Sequence, residues 1–238
     1  MNIESFRAQL EGELTWRTQE ILFFQNQCEK LDSAEEKDKF RRALILLLYS
    51  NFEGYCIFGF SLYISAINEA QLDCKDANYS LVAATLHDVF VTLRGVKKAK
   101  EFKNTDPDDS RLHLFARERD FVEHSSEIFK RKVLISDDVV DTESNLGPVV
   151  LKKNLFKLGL PYTEFEEYEK EIDQLLKLRN KIAHGETKQG ISVKLYETIR
   201  ASAFKIMSGI TTNLTNAIGS QMYLLQNVVG HDYPGFRG

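Results

Sequence analysis

The chain has 238 residues, 43% hydrophobic and 28% charged, which fits one large globular domain and excludes a disordered chain. Its formal net charge of −4 excludes a general nucleic-acid coat, since such binding needs many cations neutralising phosphates, but leaves room for a local basic groove. Three cysteines with no Cys-x-x-Cys spacing, Cys28, Cys56 and Cys74, give neither a disulfide framework nor a zinc site and fit a reducing cytoplasm.

Nearly every periodic segment reads as helix. The first stretch, MNIESFRAQLEGEL, carries acids and no apolar run, unlike a secretory leader. From Ile3 to Leu31 the apolar positions Phe6, Leu10, Leu14, Ile21 and Phe24 recur at helical steps. Ser33 followed by Glu36 has the form of a capping box and opens a second helix running to about Ala70. Within it, residues 43–67 form a 25-residue apolar stretch with one charge, Glu53, after Arg41-Arg42. That length could span a bilayer. However, Asn51 and Glu53 sit at its centre, where an acid costs roughly 2.5–3.5 kcal/mol, so the stretch reads as a buried core helix with no membrane partner.

Tyr79 to Leu93 reads as a third helix. A basic run follows from Arg94 to Lys103, in which Arg94, Lys97 and Lys98 are the natural place for an RNA backbone to lie. The turn at Asp106-Pro107-Asp108-Asp109 leads into a charged helix from about Ser110 to Lys132, and Val133–Ser136 reads as a short extended piece. After the turn at Asn145-Leu146-Gly147-Pro148 comes a short helix, Val149 to Leu158. Thr163, with Glu166 three residues on, is expected to cap the next helix, and Ser192 to Gln226 is the last long one. The organisation expected is a single all-α, up-and-down helical domain over 1–230. Its core lies at about 34–70 and 145–226, residues 94–140 form a charged insert, and 231–238 form a tail.

The helix opened near Thr163 ends in the densest chemistry of the chain, Leu178-Arg179-Asn180-Lys181-Ile182-Ala183-His184-Gly185. Arginine offers a planar fork of donors for phosphate, and histidine carries a proton either way near neutral pH. Gly185 is a natural helix stop, which places His184 in the last turn. The plainer reading is that Arg and His here only complement the helix dipole. Spacing cannot decide, because Arg119 and His124 repeat Arg-x4-His inside a charged helix among Glu118, Asp120 and Glu123. The apolar neighbours Ile182 and Ala183 and the helix stop favour the second copy. Glu53, an acid in an apolar helix, needs a partner, for which Arg179 or another cation would serve. His87, His113 and His231 are scattered singly, and no HExxH, carboxylate cluster or glycine-rich phosphate loop is present, so no metal or cofactor is expected.

The segment Leu175 to Gly185 resembles the signature of the HEPN superfamily, helical domains carrying an Arg-x4–6-His motif. Tyr49-Ser50-Asn51-Phe52-Glu53-Gly54-Tyr55 is similar to the acidic, aromatic second helix of stand-alone bacterial members, and Asn145-Leu146-Gly147 through Gly159-Leu160 also fits them. The resemblance implies an HEPN-like helical fold and a metal-independent endoribonuclease, of the kind found in toxin–antitoxin or phage-defence settings. Arg179 and His184 would be catalytic, with Asn180 at the polar position after the arginine and Glu53 in support. Lys181 would join Arg94, Lys97 and Lys98 in touching RNA. RNA transesterification needs two proton transfers, so the implied unit is a homodimer with an antitoxin or defence protein as a further partner. Other members only bind RNA, a nucleotide or a protein; a helical scaffold with no nucleotide site is the third reading.

Overall fold

The computed structural model describes residues 2–95, 102, 109–143 and 145–227; Lys97, Lys98, His231 and the 231–238 tail lie outside the described residues. The described residues form eight α-helices and short 3₁₀ turns, with no β-strand among them.

α1 (Ile3–Glu29) starts where the Asn2 side chain accepts from the Glu4 N–H, and α2 (Ala34–Glu69) where Ser33 Oγ accepts from the Glu36 N–H at 3.1 Å. At 36 residues α2 is about 54 Å long, the longest helix among the described residues. It is long and apolar enough to cross a membrane, with a mean hydropathy of 1.4 in its most apolar window, but 56% of that window is buried inside the fold. Its buried residues, among them Leu44, Leu48, Phe52, Tyr55, Phe60 and Tyr63, spread over a broad face that α1, α7 and α8 cover. Each such side chain contributes about 1.5–3 kcal/mol on full burial. α8 (Val193–Gly219) approaches α2 closely at Gly59, where an added Cβ would lie 3.1 Å from Leu214 Cδ1. Beside that contact the Tyr55 hydroxyl bonds Thr211 Oγ1 at 2.5 Å. The core therefore takes in α1, through Phe6, Leu10, Ile21 and Cys28, as well as the segments expected from the sequence.

The helix expected over 79–93 is two helices, α3 (Tyr79–Thr85) and α4 (His87–Arg94), broken at Leu86. Leu86 is held in the core, and the break lets α3 pack on α6 while α4 packs on α5 (Ser110–Ile128). The extended piece at 133–136 is fixed to the end of α2: Asn68 Nδ2 donates to the Ile135 carbonyl, and Asn68 Oδ1 accepts from the Ile135 N–H. α6 (Pro148–Lys157) begins with Pro148 at its first position, where a missing N–H costs nothing. It ends at Gly159, whose φ of +68° and close approach to Asn78 leave no room for a side chain.

α7 (Glu169–Ala183) starts later than the Thr163 capping box suggests. Thr163 accepts from the Glu166 N–H through its carbonyl, and a 3₁₀ turn over Glu166–Tyr168 precedes the helix. The reason is Phe165, buried so tightly against Gly209 that a Cβ there would meet its ring at 2.5 Å; docking this ring sets the chain's path before the helix begins.

Candidate active site at the end of α7

α7 buries Ile172 and Leu175 against the core and half-buries Leu176, Leu178, Arg179 and Ile182. This periodicity turns Arg179 towards α2, one helical step beyond Leu175. There its guanidinium carbon lies 4.3 Å from the centroid of the Tyr49 ring. A cation over an aromatic face gains about 0.5–2 kcal/mol, more as water is excluded. Tyr49 is only 2% exposed and is fixed at its other end: its hydroxyl donates to Glu53 Oε1 at 3.0 Å and accepts from the Leu146 N–H at 2.7 Å. Burial first, and the negative charge of Glu53 second, push the phenol well above its ordinary pKa, so Tyr49 stays neutral. Glu53, one turn along α2 from Tyr49, thus connects to Arg179 by way of the phenol.

The loop before α6 supplies the other wall. Gly147 packs on Leu176, where a Cβ would come within 3.0 Å of its Cδ2, so the loop lies directly on α7. Asn145 Oδ1 accepts from Arg179 Nη1 at 3.4 Å and from Asn180 Nδ2 at 3.2 Å, while Asn180 Oδ1 accepts from Arg179 Nη1 at 2.7 Å. The Asn180 amide is thereby engaged with Arg179 and Asn145. Two amides and an aromatic face hold one guanidinium, which is how a flexible cation is made into a fixed anion receptor.

His184 closes α7 as its C-cap, its N–H bonded to the Asn180 carbonyl at 3.0 Å. Gly185 follows at φ +71°; its N–H reaches the Ile182 carbonyl at 3.1 Å and the Glu186 N–H reaches that of Lys181 at 2.8 Å, the two bonds of a Schellman stop. The His184 ring is exposed and makes no hydrogen bond among the described residues, and Lys181 is exposed in the same turn. Beyond the stop the chain is tied to the start of α2: Arg42 donates to the Thr187 carbonyl at 2.8 Å, and the Ile191 N–H to that of Asp38 at 2.9 Å. The imidazole is therefore open to solvent on an anchored backbone.

The structure gathers Arg179, Asn180 and His184 at one end of α7, with Glu53 behind Tyr49. Arg94 lies elsewhere, at the end of α4 near the far end of α6, which is about 15 Å long. Tyr49 and Asn145 carry no chemical role in the sequence reading. Their only signal is that both lie in stretches resembling HEPN proteins, far along the chain from the motif they support. Around the second Arg-x4-His, Arg119 sits 3.7 Å from Glu123, and His124 Nδ1 bonds the Asp120 carbonyl at 2.8 Å. Among the described residues, no three His, Cys, Asp or Glu side chains gather as a metal site would need.

No curated protein and no solved structure matches the chain. The sequence profile of the RiboL-PSP-HEPN family, however, matches residues 13–216, a stretch that runs from α1 through nearly all of α8 and includes every residue of the site. The chain belongs to the RiboL-PSP-HEPN family of the HEPN superfamily.

Proposed function

We propose that the protein is a metal-independent endoribonuclease whose reacting groups are Arg179 and His184. The observation that carries this reading is the contrast within the site: a guanidinium fixed by Tyr49, Asn145 and Asn180 and, five residues on, an imidazole left exposed. A fixed cation suits stabilisation of the charge that develops on a pentacoordinate phosphoryl group. An exposed imidazole suits proton transfer to or from a nucleotide.

In the reaction, the ribose 2′-oxygen attacks the adjacent phosphorus and the 5′-oxygen of the next nucleotide leaves. One group takes the 2′ proton and another gives a proton to the 5′-oxygen, so the products are a 2′,3′-cyclic phosphate and a 5′-hydroxyl. One chain offers one motif imidazole, and a homodimer with the α7 ends facing across a twofold axis offers two. Lys181, exposed in the same turn as His184, is the cation offered to the RNA strand. The setting that goes with this activity is the cytoplasm, with an antitoxin or defence protein restraining the nuclease.

The test is cleavage of a structured RNA by the purified protein in EDTA, with end-group analysis. Cyclic phosphate ends and a dimer by sedimentation are expected. Mixing wild-type protein with excess His184→Ala chains, under exchange conditions, should depress activity beyond dilution. Strict dependence on a divalent ion overturns the mechanism, and RNA binding without cleavage favours the non-catalytic alternative.

A further inference from the structure

At the other end of α6 from Asn145 lies a cleft of about 780 Å³, between α3, α4 and the 137–139 turn. Its walls are aromatic: Tyr79 is 61% exposed, Phe156 is 47% exposed, and Phe90 is half-buried between them and the core. Phe156 is held edge-on against Tyr162, with centroids 5.3 Å apart, so its free face is presented in a fixed orientation. Exposed rings in a concavity are unusual, because such surface is normally driven inside.

The charges are as distinctive as the rings. On the same helix, Lys152 and Lys153 are paired with Glu166 and Glu143. Lys157 is not: its Nζ donates to the Val139 carbonyl at 2.8 Å, inside the cleft, and burial together with nearby Lys153 lowers its pKa. Arg94, across the opening, gives its Nε–H to the Phe90 carbonyl at 3.1 Å. Among the described residues neither Arg94 nor Lys157 has a carboxylate partner, and His87 adds a third nitrogen group to the lining. Asp138 is the acid that lines the cleft. Unpaired cations beside flat apolar walls suit a ligand with a planar ring at one end and an anion at the other. The volume lies in the range of pockets that enclose such molecules, about 300–1,000 Å³.

We propose that this cleft binds a nucleoside 5′-phosphate, either free or as an unpaired residue of an RNA strand. The base stacks on Phe156 and Tyr79, and the phosphate is held by Arg94 and Lys157. Stacking is tolerant of base identity, and a phosphate between two cations relieves the repulsion that Lys157 now bears. The site is separate from Arg179 and His184 and does not depend on their chemistry.

The experiment is calorimetric titration of the full chain carrying Arg179→Ala and His184→Ala, so that RNA survives and the anion receptor at the end of α7 is removed. Four probes are used: AMP, adenosine, inorganic phosphate and a six-nucleotide RNA. AMP is expected to saturate one site per chain, with adenosine and phosphate each at least about tenfold weaker. Phe156→Ala should weaken AMP by roughly 5- to 150-fold, the range for losing one base stack. Arg94→Ala, at an exposed position, should weaken it about tenfold without moving the melting temperature. A hexamer binding at least tenfold tighter than AMP identifies the source as a strand; equal or weaker binding identifies a free nucleotide. The proposal is overturned if neither AMP nor the hexamer saturates by millimolar concentration. It is also overturned if adenosine matches AMP, or if binding survives Phe156→Ala and Arg94→Ala undiminished. Cleavage by the wild-type chain is read separately and is untouched by those outcomes.

Discussion

The chain contains the same spacing twice, Arg119/His124 on α5 and Arg179/His184 at the end of α7, and the structure treats them oppositely. On α5 the arginine is 62% exposed and leans on acids of its own helix, and the imidazole is bonded back to the Asp120 carbonyl. That bond, ahead of the nearby acids, raises the His124 pKa, so its proton is held by its own helix. On α7 the arginine is gripped by α2 and by the loop before α6, and the histidine sits at a Schellman stop with a free ring. Five residues of spacing specify neither arrangement. What fixes the α7 motif is long-range support: Tyr49 lies 130 residues before Arg179 and Asn145 lies 34 before it.

After loss of the His184 imidazole itself, the largest effect expected is at Arg179. Arg179→Ala should reduce RNA cleavage by about 10²–10³-fold, as for loss of one preorganised charge donor, measured as initial rate on a labelled RNA. Arg179→Lys should recover little, because a point charge cannot lie flat on Tyr49 while meeting two amides. Next come the supports. Asn145→Ala and Tyr49→Ala should each lower activity about 3- to 30-fold, the scale of one cation–π or charge-assisted bond. Tyr49→Phe keeps the ring and strands the Leu146 N–H, so it should cost about 1–3 kcal/mol of stability by denaturant titration. Glu53→Gln, which keeps an acceptor for the phenol, should affect activity more than melting temperature. A rate for Asn145→Ala equal to wild type would break the claim that long-range support is what fixes the α7 motif.

Smaller still is the effect of the helix stop. Gly185→Ala meets no steric neighbour, so its cost is that of a left-handed backbone, about 1–2 kcal/mol. For a chain of this size that is about 2–8 °C in Tm by calorimetry. Gly159→Ala adds a collision with Asn78 to the same backbone strain and should fall further. The smallest effect belongs to His124→Ala, which should change stability by less than about 0.5 kcal/mol, as for an exposed side chain away from any buried network.

The features legible in the sequence are those set within a few residues. The Ser33 cap of α2 and the Gly185 stop follow from local hydrogen bonding and backbone freedom, and the structure has both. The Thr163 cap fails because a tertiary contact outranks it: docking Phe165 against Gly209 is worth more than one side-chain bond. The break at Leu86 fails for the same reason, since a continuous periodic pattern says nothing of where two partners, α5 and α6, will stand. In the site, Arg179, Asn180 and His184 are adjacent in sequence and could be read together. Tyr49 and Asn145 could not be assigned roles, because a pairing across 34 or 130 residues leaves no periodicity behind.

The most direct test sets the two histidines side by side. Wild-type, His184→Ala and His124→Ala proteins, each checked for an unchanged far-ultraviolet spectrum, are assayed on one structured RNA in EDTA. His184→Ala should lose about 10²–10⁴-fold in rate while His124→Ala stays within about threefold of wild type. Retained cleavage in His184→Ala, or an equal collapse in His124→Ala, would contradict the assignment of the site to the end of α7.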